Sequence, residues 1–368
     1  MMILVMQTFT IKEEVPYETA QYRHHRRRAD RQAPRAVITY AVPAARVYGI
    51  TDVRTDGLPE LKEKFGIEKI YASIDDMLAD DQIDAVLVCS STDTHADIAI
   101  QAAKAGKHIF CEKPVDLTPE KVEAVLKAVE QAGVKLQVGF NRRFDHNFAR
   151  LRELVDQEKI GKLELVKITS RDPEPPPAEY AASSGGMFLD MTIHDFDMAR
   201  FLAGSDIESL YVQAACLVDP AIGEAGDVDS AVITLKFKNG ALGVIDNSRR
   251  AAYGYDQRIE VFGSKGAAQA QNDTPTTVTL ATQDGVMGDK PLYFFLERYM
   301  QSFRDEMIAF VDAVLYDLPT PTTGKMGCNP SSSVSRRRRA WRKAGRWSCA
   351  KYTVNNVLQK SLFVSSKI

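Results

Sequence analysis

The sequence predicts an α/β protein of two domains: a doubly wound parallel sheet first, then an α/β domain with a large open, mostly antiparallel sheet. Three observations carry this expectation. Short apolar runs alternate with helical periodicity over residues 45–138, as in strands covered on both faces by crossover helices. After Phe140 the pattern changes to longer strands of alternating character joined by turn residues. The 368 residues, 45% hydrophobic and 26% charged, supply core for about two domains. The expected boundaries are 1–140 and 141–325, followed by a basic tail over 326–368.

In chain order, residues 46–50 read as a short buried strand ending at Asp52, and 59–65 as a helix. Residues 69–71 are extended and 75–79 form a helical turn. The run Ala-Val-Leu-Val-Cys at 85–89 is a parallel strand, followed by a helix over 95–105 that stops at Gly106. Residues 108–111 form the next strand. Thr118-Pro119 then caps a helix whose apolar positions Val122, Val125, Leu126 and Val129 recur at helical spacing. That helix ends at Gly133, before a strand at 135–138. In the second domain a helix over 147–156 precedes strands at 163–170, 209–216, 231–237, 241–247, 258–262 and 277–281. Lys238-Asn-Gly240 and Gly263-Ser-Lys-Gly266 mark turns between them. A last helix spans 303–316.

Composition excludes several classes. No window holds the roughly eighteen uninterrupted apolar residues of a membrane span, and the N-terminus lacks a signal-peptide pattern, so a cytoplasmic location is expected. The five cysteines are scattered without a C-x-x-C pair, and only six histidines occur, which argues against disulfide scaffolds and zinc sites. No metal is expected. The net charge of −2 hides an asymmetry: residues 19–40 balance to +5 and 329–368 to +10, so the remainder carries −17 (−2 − 5 − 10). Basic ends on an acidic body could act as nucleic-acid-binding arms, but a different origin is expected.

A nucleotide-binding half-sheet needs a glycine-rich turn after its first strand, so that pyrophosphate rests on backbone N–H groups. No G-x-G-x-x-G precedes Asp52. Written as degenerate codons and read from each second base, residues 22–32 permit I-G-I-I-G-A-G-R-I-G-K, a strand with that fingerprint. Residues 330–348, read from each third base, permit V-V-I-G-L-A-A-A-A-G-M-E-E-G-R-P-V-V, an ordinary helix. Both basic segments are therefore read as frame-shifted. Asp52, ending the second strand of the pattern, would accept hydrogen bonds from an adenosine ribose and repel a 2′-phosphate, favouring NAD.

Two stretches carry the chemistry. Glu112-Lys113-Pro114 follows an apolar strand, and Gly185-Gly-Met-Phe-Leu-Asp190-Met-Thr-Ile-His194-Asp-Phe-Asp opens an expected amphipathic helix. Four residues apart on one helix, Asp190 and His194 would share a face. A carboxylate there orients an imidazole and raises its basicity, while a nearby ammonium steadies an alkoxide. That equipment moves a proton off a secondary alcohol as a nicotinamide takes the hydride.

Over residues 45–325 the chain resembles the Gfo/Idh/MocA oxidoreductase family, and within it the inositol-type dehydrogenases. The carriers are Cys89-Ser-Ser-Thr-Asp-Thr-His95, Glu112-Lys113-Pro114, Gly139-Phe-Asn-Arg-Arg143-Phe-Asp, Asp190-Met-Thr-Ile-His194-Asp-Phe-Asp and Tyr253-Gly-Tyr-Asp-Gln-Arg258. The resemblance implies a Rossmann domain, NAD as cofactor, a polyol substrate and a homo-oligomer formed through the open sheet. It implies that Lys113 polarises the reacting oxygen, His194 is the acid/base and Asp190 sets its orientation and charge. Ser90, Ser91, Thr92, His95 and Glu112 would line the cofactor, and Arg142 and Tyr255 would bind substrate hydroxyls. The residues leave other roles open: capping for His95, core for His108, solvent for His146, a solvated pair for Arg142-Arg143 and sheet packing for Tyr255.

Overall fold

The computed structural model describes residues 2–8, 42, 44–323 and 351–353. Two compact units divide the chain: residues 1–144 with 300–328, and 145–299 with 329–368. The last long helix therefore groups with the first unit, although it follows the second in sequence.

In unit 1 the elements are β1 (Met2–Thr8), β2 (Ala45–Asp52), α1 (Leu58–Phe65), β3 (Lys69–Ile70), α2 (Ile74–Leu78), β4 (Ala85–Val88), α3 (Thr92–Lys104), β5 (His108–Cys111), α4 (Pro119–Ala132) and β6 (Leu136–Val138). Six strands form one sheet in the order β3-β2-β1-β4-β5-β6. Every residue of β4 is buried, as a continuous apolar run with helices on both faces requires. β2–β3, β4–β5 and β5–β6 pair in parallel. The pattern predicted α3 from residue 95, but it starts at Thr92 because Ser91 adopts the extended N-cap conformation. Thr118 precedes α4 as expected, yet its hydroxyl donates to Asp116 Oδ1 at 2.9 Å instead of capping the helix.

The sheet departs from the expected parallel order at one place. β1 runs antiparallel to both neighbours, with Met2 opposite Asp52, Thr8 opposite Ala45 and Ile3 opposite Val88. The chain thus leaves β1 at the edge where β2 and β4 begin, not at their carboxyl ends. Met2–Thr8 is the apolar run available to fill a central slot, whereas Tyr22-Arg-His-His-Arg, where the first strand was expected, has none. Segment 22–32, for which a shifted reading frame was expected, and all of the basic tail except 351–353 lie outside the described residues.

Unit 2 contains α5 (His146–Asp156), β7 (Leu163–Arg171), α6 (Ala178–Ser183), α7 (Gly186–Asp190), α8 (Thr192–Ala203), β8 (Ile207–Ala215), α9 (Pro220–Glu224), β9 (Ser230–Phe237), β10 (Leu242–Ser248), β11 (Asp256–Gly263), β12 (Gly266–Ala270), β13 (Thr279–Thr282), β14 (Gly285–Gly288) and α10 (Phe295–Arg298). The remaining long helix, α11 (Met300–Leu315), belongs to unit 1, where Phe310 meets Phe110 edge to face. β15 (Lys351–Thr353) completes the list on the edge strand β8.

The large sheet of unit 2 runs β12-β11-β7-β10-β9-β8-β15 and is antiparallel except between β7 and β10. Alternation along β9 is strict, with Ala231, Ile233, Leu235 and Phe237 buried and the residues between them exposed. The expected strand near 277–281 lies instead in a separate hairpin, β13–β14. α5 begins under a strong cap. Asp145 Oδ1 accepts from the N–H groups of Asn147 and Phe148 at 3.2 and 3.1 Å, and the buried Arg298 guanidinium neutralises that carboxylate.

Candidate functional site

The sequence-predicted residues fall into two sets, one on each unit. In unit 1 they gather at the carboxyl ends of β2, β4 and β5, where open α/β sheets bind ligands. Asp52 ends β2 and its Oδ1 accepts from Arg54 N at 2.9 Å. It lines a cavity of about 420 Å³ together with Thr51, Val53, Ser73, Asp75 and Gln101. Two carboxylates on that wall favour ribose hydroxyls and oppose an added phosphate.

After β4, the loop Ser90-Ser91 turns into α3. Ser90 Oγ lies 2.7 Å from Thr94 Oγ1, which donates to the Ser91 carbonyl at 2.8 Å. Ser91 and Thr92 thus stand at a helix N-terminus, where backbone N–H groups are free of intrahelical partners and favour anionic groups.

His95 lies one turn into that helix, 2% exposed. Its Nδ1 is 2.9 Å from the Pro114 carbonyl and its Nε2 is 3.1 Å from the Ser90 carbonyl. The ring therefore ties the loop after β4 to the loop after β5, and burial pushes its pKa down despite both carbonyls. Of the roles left open for His95, the structure shows this cross-brace. His108 is half-buried and accepts from Lys135 N at 3.0 Å through Nδ1.

Glu112 and Lys113 follow β5, and the Lys113–Pro114 peptide is cis. Burial raises the Glu112 pKa, while the Lys113 ammonium opposes it. Its carboxylate lies over Gly139, where an added Cβ would come within 2.9 Å of Oε2. Arg142 is not a solvated residue: it is 5% exposed within the single 3₁₀ turn Asn141–Phe144.

In unit 2, Asp190 and His194 do not sit on one unbroken helix as predicted. Asp190 ends α7, His194 lies in the first turn of α8, and Met191 between them departs from helical geometry at φ −100°, ψ −62°. At the Asp190 carboxylate, Tyr180 Oη donates to Oδ1 at 3.1 Å and Arg249 Nη2 to Oδ2 at 3.0 Å. Arg249 also donates to Asp172 Oδ2 at 2.9 Å. Burial works against the Arg249 charge, but the two carboxylates outweigh it and raise its pKa. Around the start of α8, Thr192 Oγ1 donates to Asn247 Oδ1 and Asn247 Nδ2 to Asp195 Oδ2, each at 2.8 Å. Asp227 Oδ2 accepts from Met187 N at 2.8 Å and fixes the start of α7.

Tyr255 is 6% exposed and packs edge to face on Phe294 and Tyr299, at 5.4 and 6.0 Å between centroids. Aromatic packing accounts for its ring. Arg249, Asp172 and Asn247 were missed by the sequence reading. The local pattern there, Ser248-Arg249-Arg250 closing an alternating strand, does not by itself tell a buried arginine from a solvated one. Among the described residues, no three His, Cys, Asp or Glu side chains are grouped to hold a metal ion.

A parallel half-sheet with acidic β2 terminus, joined in one chain to a second α/β unit carrying a buried carboxylate–guanidinium cluster, defines the class as a nicotinamide-type oxidoreductase. Residues 18–140 match the model of an oxidoreductase family with an NAD-binding Rossmann fold, and residues 148–269 the GFO/IDH/MocA C-terminal domain. The chain belongs to the Gfo/Idh/MocA oxidoreductase family. It is 53% identical to a myo-inositol 2-dehydrogenase of Thermotoga maritima over 76% of this chain and 84% of that protein. An inositol 2-dehydrogenase of Rhizobium meliloti is 48% identical over 73% and 81%. Among solved structures, one described as a probable dehydrogenase from Thermotoga maritima superposes with a TM-score of 0.83 at 47% identity, covering 89% of this chain and 96% of that one. Scyllo-inositol dehydrogenase from Lactobacillus casei, with bound NAD(H) and scyllo-inositol, gives 0.79 at 29% identity over 88% and 96%.

Proposed function

We propose that the chain is an NAD-dependent inositol 2-dehydrogenase, oxidising myo-inositol to its 2-keto product. The observation that carries this is the 53% identity to a myo-inositol 2-dehydrogenase, with family matches spanning both Lys113 and the Asp190–His194 segment. Acceptance of the hydride is the chemistry that NAD supplies when bound. Asp52 takes the adenosine ribose, while Ser90, Ser91, Thr92 and Glu112 line the cofactor and His95 braces the two loops that carry them. His194 accepts the proton of the reacting hydroxyl, and Asp190 fixes the charge and orientation of His194. The Lys113 ammonium stabilises the alkoxide and reaches the nicotinamide ribose. Arg142 and Tyr255 are the candidates for binding substrate hydroxyls.

The protein acts in the cytoplasm, as a homo-oligomer joined through the open face of the large sheet. Support for the latter comes from Phe262 and Leu242, both exposed and both in register with Leu165 on β7. Among the described residues, no helix is long and apolar enough to cross a membrane.

The deciding experiment is NADH formation with myo-inositol, measured on this chain and on a version with residues 22–32 and 330–348 restored to the alternative frame. Turnover by the restored version alone supports the assignment and attributes the loss to the altered segments. Turnover by both supports the assignment and refutes the need for the glycine turn. A folded restored version inert on myo-inositol but active on scyllo-inositol would move the assignment to the second reading, which a 36%-identical scyllo-inositol 2-dehydrogenase of Bacillus subtilis favours.

A further inference from the structure

The parallel pairing of β7 with β10 sets Ser248 opposite Arg171, and Asp172 N donates to the Ser248 carbonyl at 2.9 Å. Asp172 and Arg249 therefore leave two adjacent inner strands side by side at their carboxyl ends. Arg249 is 4% exposed, and its backbone N–H donates to the Asp229 carbonyl at 2.8 Å. One guanidinium nitrogen is given to Asp172 and the other to Asp190. Tyr180 from α6 adds the remaining named contact to Asp190. Within unit 2, Asp195 Oδ2 accepts from Asn247 and Asp227 Oδ2 from Met187 N.

A guanidinium that donates to two carboxylates leaves the cluster with one negative charge in excess, so the Asp172 charge adds to the field around Asp190. We propose that Arg249, anchored by Asp172, is a positioning residue that fixes Asp190 in one orientation and ionised, and so sets the pH at which His194 changes charge. This rests on the reading of Asp190 and His194 as the acid/base pair. The sign follows from charge alone. Removing the Asp172 charge takes the Asp172–Arg249–Asp190 cluster from one net negative charge to none, weakening its support for an imidazolium. The His194 pKa then falls.

The test reads His194 directly, without cofactor or turnover, by NMR titration of the histidine-labelled full chain, with the His194 signal assigned from its loss in His194→Gln. In Asp172→Asn the His194 pKa is expected to fall by on the order of one unit. In Arg249→Gln, which removes the cation that lies against Asp190, it should rise by a similar amount. Asp190→Asn should lower it further than Asp172→Asn does. A pKa lowered by Asp190→Asn but unmoved by Asp172→Asn, with the fold intact by circular dichroism, overturns the role of Arg249 and leaves the acid/base pair standing. A pKa unmoved by Asp190→Asn sinks the pair itself, and the inference with it. Should Asp172→Asn not fold, an Arg249→Gln variant that folds and leaves the His194 pKa unmoved refutes the proposal on its own.

Discussion

Gly186 is the residue whose replacement should cost the fold most per atom added. It opens α7 at φ +77°, and an added Cβ would lie 2.6 Å from Asp227 Oδ1 and 2.8 Å from its Cγ and Oδ2. That carboxylate is 6% exposed and accepts the Met187 N–H, so it has little room to withdraw without losing the bond. Alanine in the left-handed region costs about 1–2 kcal/mol. Breaking a hydrogen bond to a buried charge adds roughly 1.5–3 kcal/mol. A stiffer unfolded chain returns about 0.4–1 kcal/mol. Gly186→Ala should therefore destabilise the protein by about 2–4 kcal/mol, read as a lower urea midpoint by circular dichroism. Gly133 supplies the control: it has φ +66° with nothing within 4 Å of its added Cβ, so its alanine variant should lose only about 1 kcal/mol. Equal losses in the two variants would refute the reasoning, because the contact with Asp227 would then contribute nothing.

Lys113→Met should lower kcat on inositol about 10²–10³-fold while leaving the urea midpoint in place; near-normal turnover removes Lys113 from the mechanism. Asp52→Ser should lower kcat/KM for NAD about 10–100-fold and raise use of NADP relative to NAD. An unchanged NADP-to-NAD ratio would show that Asp52 does not read the ribose. Burial lowers the pKa of both His95 and His108, so each binds a proton more readily unfolded than folded. Their neutral forms contribute stability that is present above the ordinary histidine value, about 6.5, and is lost as pH falls toward the folded pKa. His95→Gln should flatten the fall in urea midpoint between about pH 7.5 and about pH 5.5, and an unaltered slope would assign the effect to His108 alone.

Most of both sheets was legible because their strands obey simple periodicities. The buried run of β4 and the strict alternation of β9 each admit one reading, and helix ends such as Gly133 announce themselves. What was not legible depended on pairing partners distant in sequence. No local pattern says that Met2–Thr8 runs antiparallel between β2 and β4, since an apolar strand fits a central slot in either direction. Nor does spacing reveal that Met191 breaks the helix between Asp190 and His194: the i, i+4 rule places them on one face only if the backbone stays helical throughout.

The same limit hid Arg249. In the sequence it is one of two consecutive arginines ending a strand, where a solvent-facing pair is the ordinary outcome. Its meaning arises only when β7 and β10 pair in parallel and set Asp172 beside it, 77 residues away. A buried guanidinium needs compensating carboxylates close by, so once Arg249 lies inside the fold, Asp172 and Asp190 stop being separate acids. They become one charged cluster with a single net negative charge. The sequence motif supplies Asp190 and His194, and the ion cluster around Asp190 is assembled by sheet topology.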